Sequence, residues 1–136
     1  MALRSDLLLF ADAANFSLEG KLNLLGEFNL LRTTPGQAAV LVGKLVSRFT
    51  ASIADVGTPH RFSIRILDGN SALVATSPDS PVHLGPSPIP GVPPRGVIIM
   101  DLPPLALPAP DSYTVEVYLD GHRQELTAEF HTVFVR

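Results

Sequence analysis

The sequence predicts an all-β fold, an antiparallel β-sandwich of about eight strands with Greek-key-like crossovers and little or no helix. Apolar and polar side chains alternate with a period of two in several segments, which is the pattern of strands that bury one face. Breaks that contain glycine, aspartate or proline separate these segments, and the longer connections are rich in proline. These two observations favour paired sheets over a helical core.

The first two expected strands, residues 7–13 and residues 21–31, read as a hairpin with a longer loop. Gly20 in that loop can take a positive φ, and Gly26 within the second segment indicates a bulge or a bend. The Thr-Thr-Pro-Gly run at residues 33–36 is a strong break.

Residues 38–50 form the next extended segment. This run is also long enough for a helix, but its valines and the internal Gly43 favour a strand whose two faces are both partly buried. Residues 51–57 are expected to be a connection.

Residues 61–66 show the clearest alternation in the chain. Their expected inward set is Phe62, Ile64 and Ile66. A turn at residues 68–71 leads into a strand over residues 72–76, which pairs back on the one before.

Residues 77–95 contain a dense series of prolines, and proline cannot supply the N–H that a central strand needs. The segment is therefore interpreted as a semi-rigid crossover between two sheets. A polyproline ligand for a partner domain is the lesser alternative.

Residues 96–102 are apolar on both faces and predict a central strand. A second proline-rich connection is expected around Pro103, Pro104, Pro108 and Pro110.

The last two strands, residues 111–120 and residues 123–135, are expected to form a hairpin across Asp120 and Gly121, a strong hairpin signal. The inward positions predicted for this hairpin are Tyr113, Val115, Val117, Leu119, Leu126, Ala128, Phe130 and Phe134.

Length and composition bound the class of protein. The 136 residues suit one domain, residues 1–136, and 46% hydrophobic residues supply ample core. Only 17% of residues are charged, so part of the surface is expected to be apolar. The net charge of −3 without a basic run argues against nucleic-acid binding, and the absence of cysteine excludes disulfides and thiolate chemistry.

A membrane partner is not expected. The apolar run at residues 7–11 is bracketed by Asp6 and Asp12 and is shorter than the roughly 7–15 residues of a signal peptide's apolar region. No apolar stretch approaches the roughly 20 residues that a membrane helix needs. The expected location is the cytoplasm.

Two stretches carry a resemblance. Ala11-Asp-Ala-Ala14 followed by Gly20-Lys-Leu-Asn-Leu-Leu-Gly-Glu-Phe28 resembles the opening of a family of short, uncharacterised bacterial proteins, and the hairpin at residues 113–121 is similar to theirs. The resemblance implies a bacterial β domain of unknown function and adds no site residue.

No motif for catalysis or cofactor binding is recognised, so no catalytic residue, cofactor or metal is expected. The histidines have no tight metal-ligand spacing and are interpreted as ordinary surface or turn residues: His60, His83, His122 and His131. Calcium held by loop aspartates is a minor alternative, the residues being Asp55, Asp68, Asp79, Asp111 and Asp120.

The outward face of the last hairpin is the one candidate polar binding surface, comprising Glu116, Tyr118, Arg123, Glu129 and His131. Glu116 and Glu129 could in principle serve as paired carboxylates for glycoside cleavage, although a solvated sheet face explains them more simply.

These observations favour a non-catalytic binding or assembly module that self-associates through an apolar sheet face or an edge strand. A second copy is preferred to a foreign protein partner. The alternatives are an enzyme with an unrecognised site and a sandwich that binds a small ligand or a carbohydrate. Without tryptophan and with two tyrosines, the chain offers few stacking platforms for sugars.

Overall fold

A computed structural model describes residues 3–18 and 21–135. Within these ranges the chain forms ten strands and one 3-10 turn, Ile53–Asp55. The strands are β1 (Arg4–Phe16), β2 (Leu22–Phe28), β3 (Leu30–Thr33), β4 (Ala39–Thr50), β5 (His60–Leu67), β6 (Leu73–Thr76), β7 (Ser80–Val82), β8 (Arg95–Leu107), β9 (Asp111–Leu119) and β10 (His122–Phe134). The predicted all-β sandwich is confirmed, whereas the turn expected at Gly20 lies outside the described residues.

The strands form two sheets that face each other. Sheet A has the order β2-β1-β4-β8, and sheet B has the order β3-β10-β9-β5-β6 with β7 also paired to β5. The pairing is antiparallel apart from β3, which runs parallel to β10.

One apolar core fills the space between the sheets. At its centre the ring of Phe130 stacks on Tyr113 with centroids 5.0 Å apart and meets Phe10 edge-on at 5.3 Å. Phe62, Ile64 and Ile66 of β5 are buried, as are the four alternate residues predicted for β9. The period-two pattern thus identified the buried faces of these strands correctly.

The prediction of one strand over residues 21–31 is wrong. β2 ends at Phe28, and after Asn29 the chain enters β3 in the other sheet, so two short strands replace one long one. Gly26 has a φ of +71°, but the β1–β2 register continues unbroken past it, so it marks no bulge.

The prediction of a central strand at residues 96–102 is also wrong, because β8 lies at the edge of sheet A. Pro103 and Pro104 belong to β8 and not to a connection. They lie opposite Val42, where the β4–β8 register shifts, so their missing N–H groups interrupt no regular ladder pair. The second proline-rich connection is therefore confined to residues 108–110.

The proline-rich segment at residues 77–95 does cross from sheet B to sheet A, as predicted, although it includes the three-residue strand β7.

Phe134 was predicted to point inward but is 40% exposed, because it lies at the end of β10 beyond the core. The polar residues Gln124 and Thr132 are buried on that strand instead. No helix within the described ranges has the length and hydrophobicity that crossing a bilayer requires.

Candidate binding surfaces

The predicted polar face of the last hairpin is only partly assembled. Glu116 of β9 accepts hydrogen bonds from the Tyr118 hydroxyl at 3.3 Å and from the Arg123 guanidinium at 3.2 Å. Arg65 of β5, which lies opposite Glu116, places its guanidinium 4.5 Å from the centre of the Tyr118 ring. These four residues form one cluster on the outer face of sheet B.

Glu129 and His131 do not join this cluster. Glu129 lies opposite Thr114, and Nδ1 of His131 is 2.8 Å from the Ser112 hydroxyl. Glu116 lies opposite Thr127, so the two glutamates are diagonal neighbours, and Glu116 is bound by Tyr118 and Arg123. Arg65 was not included in this site from the sequence, although the alternation of residues 61–66 places its side chain on the outer face.

His60 is a buried residue, which corrects its interpretation as a surface or turn histidine. Its Nδ1 lies 2.7 Å from the Asp120 carboxylate, and its Nε2 lies 2.7 Å from the carbonyl oxygen of Asp55. Both partners are acceptors, so both contacts are hydrogen bonds only when each ring nitrogen carries a proton, which favours the imidazolium form. The alternation of β5 already put position 60 in phase with Phe62, and this signal could have revealed its burial.

The pKa of His60 is raised, chiefly by the hydrogen bond to Asp120 and next by the Asp55 carbonyl, while burial opposes the shift. Burial acts to raise the pKa of Asp120, but the hydrogen bonds from His60 and from the Arg61 N–H outweigh it and lower that pKa overall. The two shifts describe one ion pair that links β5 to the β9–β10 turn.

A hydroxyl also lies beside His60, because Thr58 Oγ1 is 3.1 Å from Nε2. A threonine–histidine–aspartate series suggests nucleophilic catalysis, which requires that Nε2 accept the hydroxyl proton. Here Nε2 donates its own proton to the Asp55 carbonyl, and the Thr58 hydroxyl donates to that same carbonyl at 3.0 Å. The geometry therefore describes a structural clamp.

The loop aspartates serve separate local purposes. The Asp55 carboxylate accepts from Ser52, the Asp120 carboxylate contacts His60, and Asp68 accepts from two N–H groups of its own turn. Asp79 lies 3.8 Å from the Arg61 guanidinium, and Asp111 accepts from the Ser112 N–H. In the part of the chain that the structure describes, no group of three or more histidine or carboxylate side chains could hold a metal ion.

An apolar slot of about 450 Å³ opens between the sheets along the side formed by β6 and β8. Its walls are mostly aliphatic, with Ile64 and Ile66 from sheet B and Leu41, Met100 and Leu102 from sheet A. The polar residues of its lining are Thr76, Ser77, Ser80 and Asp101. The slot is suited to an apolar guest and not to a charged one.

The free edge of β8 is the longest strand edge without a partner among the described residues. Its residues 96–100 are all partly exposed, carry no charge and are apolar apart from the glycine. Such an edge presents unpaired N–H and C=O groups to any strand that approaches it.

The β1–β2 hairpin supplies a second exposed apolar surface. β1 pairs with β4 only as far as Ala11, while its pairing with β2 continues to Phe16. This distal part exposes 50% of Phe16 and 71% of Leu25. It forms a two-stranded arm beyond the rest of sheet A.

Most of the chain matches one known protein family. A sequence profile described as a family of unknown function, DUF6941, matches residues 6–130. The chain belongs to the DUF6941 family. The resemblance to an uncharacterised family is thereby confirmed, and no curated protein matches the chain.

Membership of DUF6941 assigns no activity, so the surfaces of this chain carry the functional argument. In the polar cluster of the DUF6941 chain the Glu116 carboxylate accepts from Tyr118 and Arg123, and both nitrogens of His60 contact internal acceptors. The free edge of β8, the β1–β2 arm and the apolar slot are the surfaces that a second molecule could cover.

Proposed function

We propose that this protein is a non-catalytic assembly module that self-associates through the free edge of β8. The observation that carries the proposal is the contrast between this edge and the other sheet edges in the described structure. Natural sheets suppress edge pairing with short strands, charges, bulges or proline. An apolar edge segment that lacks these devices, as residues 96–100 of β8 do, is typical of a strand-pairing interface.

The other edges carry such devices. In sheet B, β3 and β6 have four residues each, and β7 has three with Pro81 in the middle. In sheet A, β2 has seven residues, with Gly26 at positive φ next to Glu27. By comparison β8 has thirteen residues, and its run 96–100 carries neither charge nor proline, since Arg95 precedes it and Asp101 and the prolines at 103 and 104 follow it.

The outer face of sheet A supports the same interface. Leu9, Val46 and Ile99 lie side by side across β1, β4 and β8, on the face away from the core. Val46 is fully buried there. A strand added beside β8 would extend this apolar row and cover Ile99.

The non-catalytic assignment is supported by the closed contacts of the polar groups. Both nitrogens of His60 bind internal acceptors, and the carboxylate of Glu116 is bound by Tyr118 and Arg123. Neither group has a free reactive atom beside a nucleophile.

The apolar slot supports a second candidate function, the binding of a small apolar ligand. Its volume of about 450 Å³ lies within the range of about 300–1,000 Å³ that such sites occupy. Replacement of Ala75, which lines the slot, by phenylalanine would fill it, so an environment-sensitive apolar dye should bind the original protein and not Ala75→Phe. Equal dye binding by both proteins would reject this candidate.

We further propose that the module works in the cytoplasm of a bacterium. The support is the resemblance to bacterial proteins and the place of residues 7–11 within the folded strand β1. Fractionation of cells that express the protein would test this location, and recovery from a membrane or exported fraction would contradict it.

Light scattering over a range of concentrations tests self-association through β8. We expect the protein to form a dimer, and Ile99→Lys to form a monomer, because a charge at this edge opposes strand pairing. Leu25→Lys is the matched control, since it places the same charge on the β1–β2 arm. The proposal fails if the original protein stays monomeric, or if Leu25→Lys dissociates the dimer while Ile99→Lys does not.

A further inference from the structure

We propose that two copies of this chain pair their β8 strands antiparallel about Ile98, with Arg95 of each copy opposite Asp101 of the other. This inference rests on the proposed self-association and specifies its register. The result would be one continuous sheet made from sheet A of both copies, related by a two-fold axis through the two Ile98 residues.

The charges at the two ends of the pairing segment are complementary. Arg95 is exposed and forms no ion pair with any described residue, and the Asp101 side chain is 82% exposed although it contacts Lys44. In an antiparallel self-pairing, the start of one strand meets the end of the other. Each unpaired guanidinium therefore meets a carboxylate of the second copy, whereas like charges at both ends would repel.

The register also matches the faces of the sheet. Opposite β4, Thr50 lies beside Arg95 and Lys44 lies beside Asp101, so both charged residues point to the outer face of sheet A. Pairing about Ile98 joins residues of the same face, since Val97 meets Ile99 of the second copy. The apolar row of the outer face then continues across the seam.

Other registers lose one of these matches. Directly opposed residues of paired strands share one face of the sheet. A shift of one residue pairs an inward position with an outward one, so sheet B of the second copy would lie on the opposite side of the continuous sheet. A shift of two residues places Arg95 opposite Ile99 or Pro103. Pro94 and Pro103 bound the segment, because neither can donate to a new ladder.

Cysteine cross-linking tests this register, and the chain has no native cysteine to interfere. Directly opposed residues of an antiparallel pair have Cα atoms about 4.5–5.5 Å apart, within the range of a disulfide. Ile98→Cys should therefore form a covalent dimer under mild oxidation. Val97→Cys alone should not, whereas a mixture of Val97→Cys and Ile99→Cys should cross-link.

Charge reversal supplies an independent measurement. Arg95→Asp and Asp101→Arg should each weaken the dimer about ten-fold or more, because each creates two like-charge contacts across the axis. The double variant Arg95→Asp/Asp101→Arg should restore affinity to within a few-fold of the original. Because both residues are exposed, each variant should keep its strand content, and circular dichroism checks this.

The outcomes separate the two proposals. If the original protein is monomeric at high concentration, self-association and register both fall. If it dimerises through β8 but Ile98→Cys does not cross-link, or the double charge variant stays as weak as the single variants, only the register is overturned. A dimer that is lost with Leu25→Lys and kept with Ile99→Lys assigns the interface to the β1–β2 arm and rejects both.

Discussion

The imidazole of His60 and the carboxylate of Asp120 lie 2.7 Å apart, although the two residues belong to different strands and turns of sheet B. The second ring nitrogen of His60 contacts the Asp55 carbonyl at the same distance. One buried side chain therefore joins three segments: the connection before β5, β5 itself and the β9–β10 turn. This link is made by the charged form of histidine, so it depends on pH.

Stability is expected to fall as the pH rises through the folded-state pKa of His60. That pKa lies above its ordinary value of 6.5, because the Asp120 hydrogen bond and then the Asp55 carbonyl favour the protonated ring against the effect of burial. The contribution is fully present below the unfolded-state pKa and disappears as the ring loses its proton. Urea unfolding from about pH 5.5 to about pH 9 measures it.

His60→Gln should lower the free energy of unfolding at about pH 5.5 by about 1–3 kcal/mol and should remove most of this pH dependence. His131→Gln is the matched control, since His131 lies on the outer face and its Nδ1 contacts the exposed Ser112 hydroxyl. The explanation is wrong if His60→Gln keeps the slope of the original protein, or if His131→Gln removes it.

Gly43 is expected to tolerate no side chain. Its φ is +133°, and a Cβ atom there would lie 2.8 Å from the backbone oxygen of Ala11 in the neighbouring strand. Gly43→Ala should destabilise the protein by about 2 kcal/mol or more, since the strain and the backbone clash add. Gly36 also has a positive φ but has no atom within 4 Å, so Gly36→Ala should cost about 1 kcal/mol. Chemical denaturation compares the two, and equal losses would contradict the role of the clash.

Gln124 links the two sheets through a buried hydrogen bond. The β1–β4 register shifts between Ser5 and Leu7, and the Ser5 N–H donates to Oε1 of Gln124 at 3.0 Å. Gln124→Ala leaves that N–H without its partner and should cost about 1–3 kcal/mol. Gln37→Ala, at an exposed turn, should change stability by less than about 0.5 kcal/mol. Thermal melts of both variants would refute this account if Gln124→Ala were as stable as Gln37→Ala.

Truncation of Phe130 is expected to lower the stability of the fold more than the other substitutions proposed here. It is fully buried and contacts the rings of both Tyr113 and Phe10, which joins sheet B to sheet A. Phe130→Ala should lower the free energy of unfolding by about 3–5 kcal/mol, because it opens a cavity between the sheets. Ile53→Ala is the control, since Ile53 is 86% exposed and should be nearly neutral. A loss below about 1 kcal/mol for Phe130→Ala would show that the core collapses around the gap.

The alternation of apolar and polar residues was sufficient to identify the inward side chains of strands that bury one face. The alternation of residues 61–66 and of residues 111–120 identified buried faces that the structure confirms. The turn before Gly121 was readable because Asp120 takes a positive φ of 52° there and aspartate tolerates it. These features depend on residues close together in the chain.

The edge position of β8 was not readable from its composition. Residues 96–102 look like a central strand because both of their faces are apolar, but an apolar face says nothing about which strands lie on either side. Lateral neighbours are joined by backbone hydrogen bonds, for which every residue offers a C=O and every residue except proline an N–H. The prolines at 103 and 104 were the available signal, since they are compatible with an edge strand.

The candidate sites likewise depended on which strands lie side by side. The outward residues Glu116, Tyr118 and Arg123 could be grouped from one hairpin, but Arg65 joins them only because β5 pairs with β9. His60 and Asp120 meet for the same reason.

The sequence by itself determined the all-β class, the buried faces of the regular strands, the aspartate turns and the proline-rich crossover. The tertiary structure alone decided that residues 21–31 divide between two sheets, that β8 lies at an edge and that His60 contacts Asp120. The physical reason is the range of the interactions. Alternation and turn preference act over a few neighbouring residues, whereas sheet order arises from pairings between distant segments that many sequences would permit.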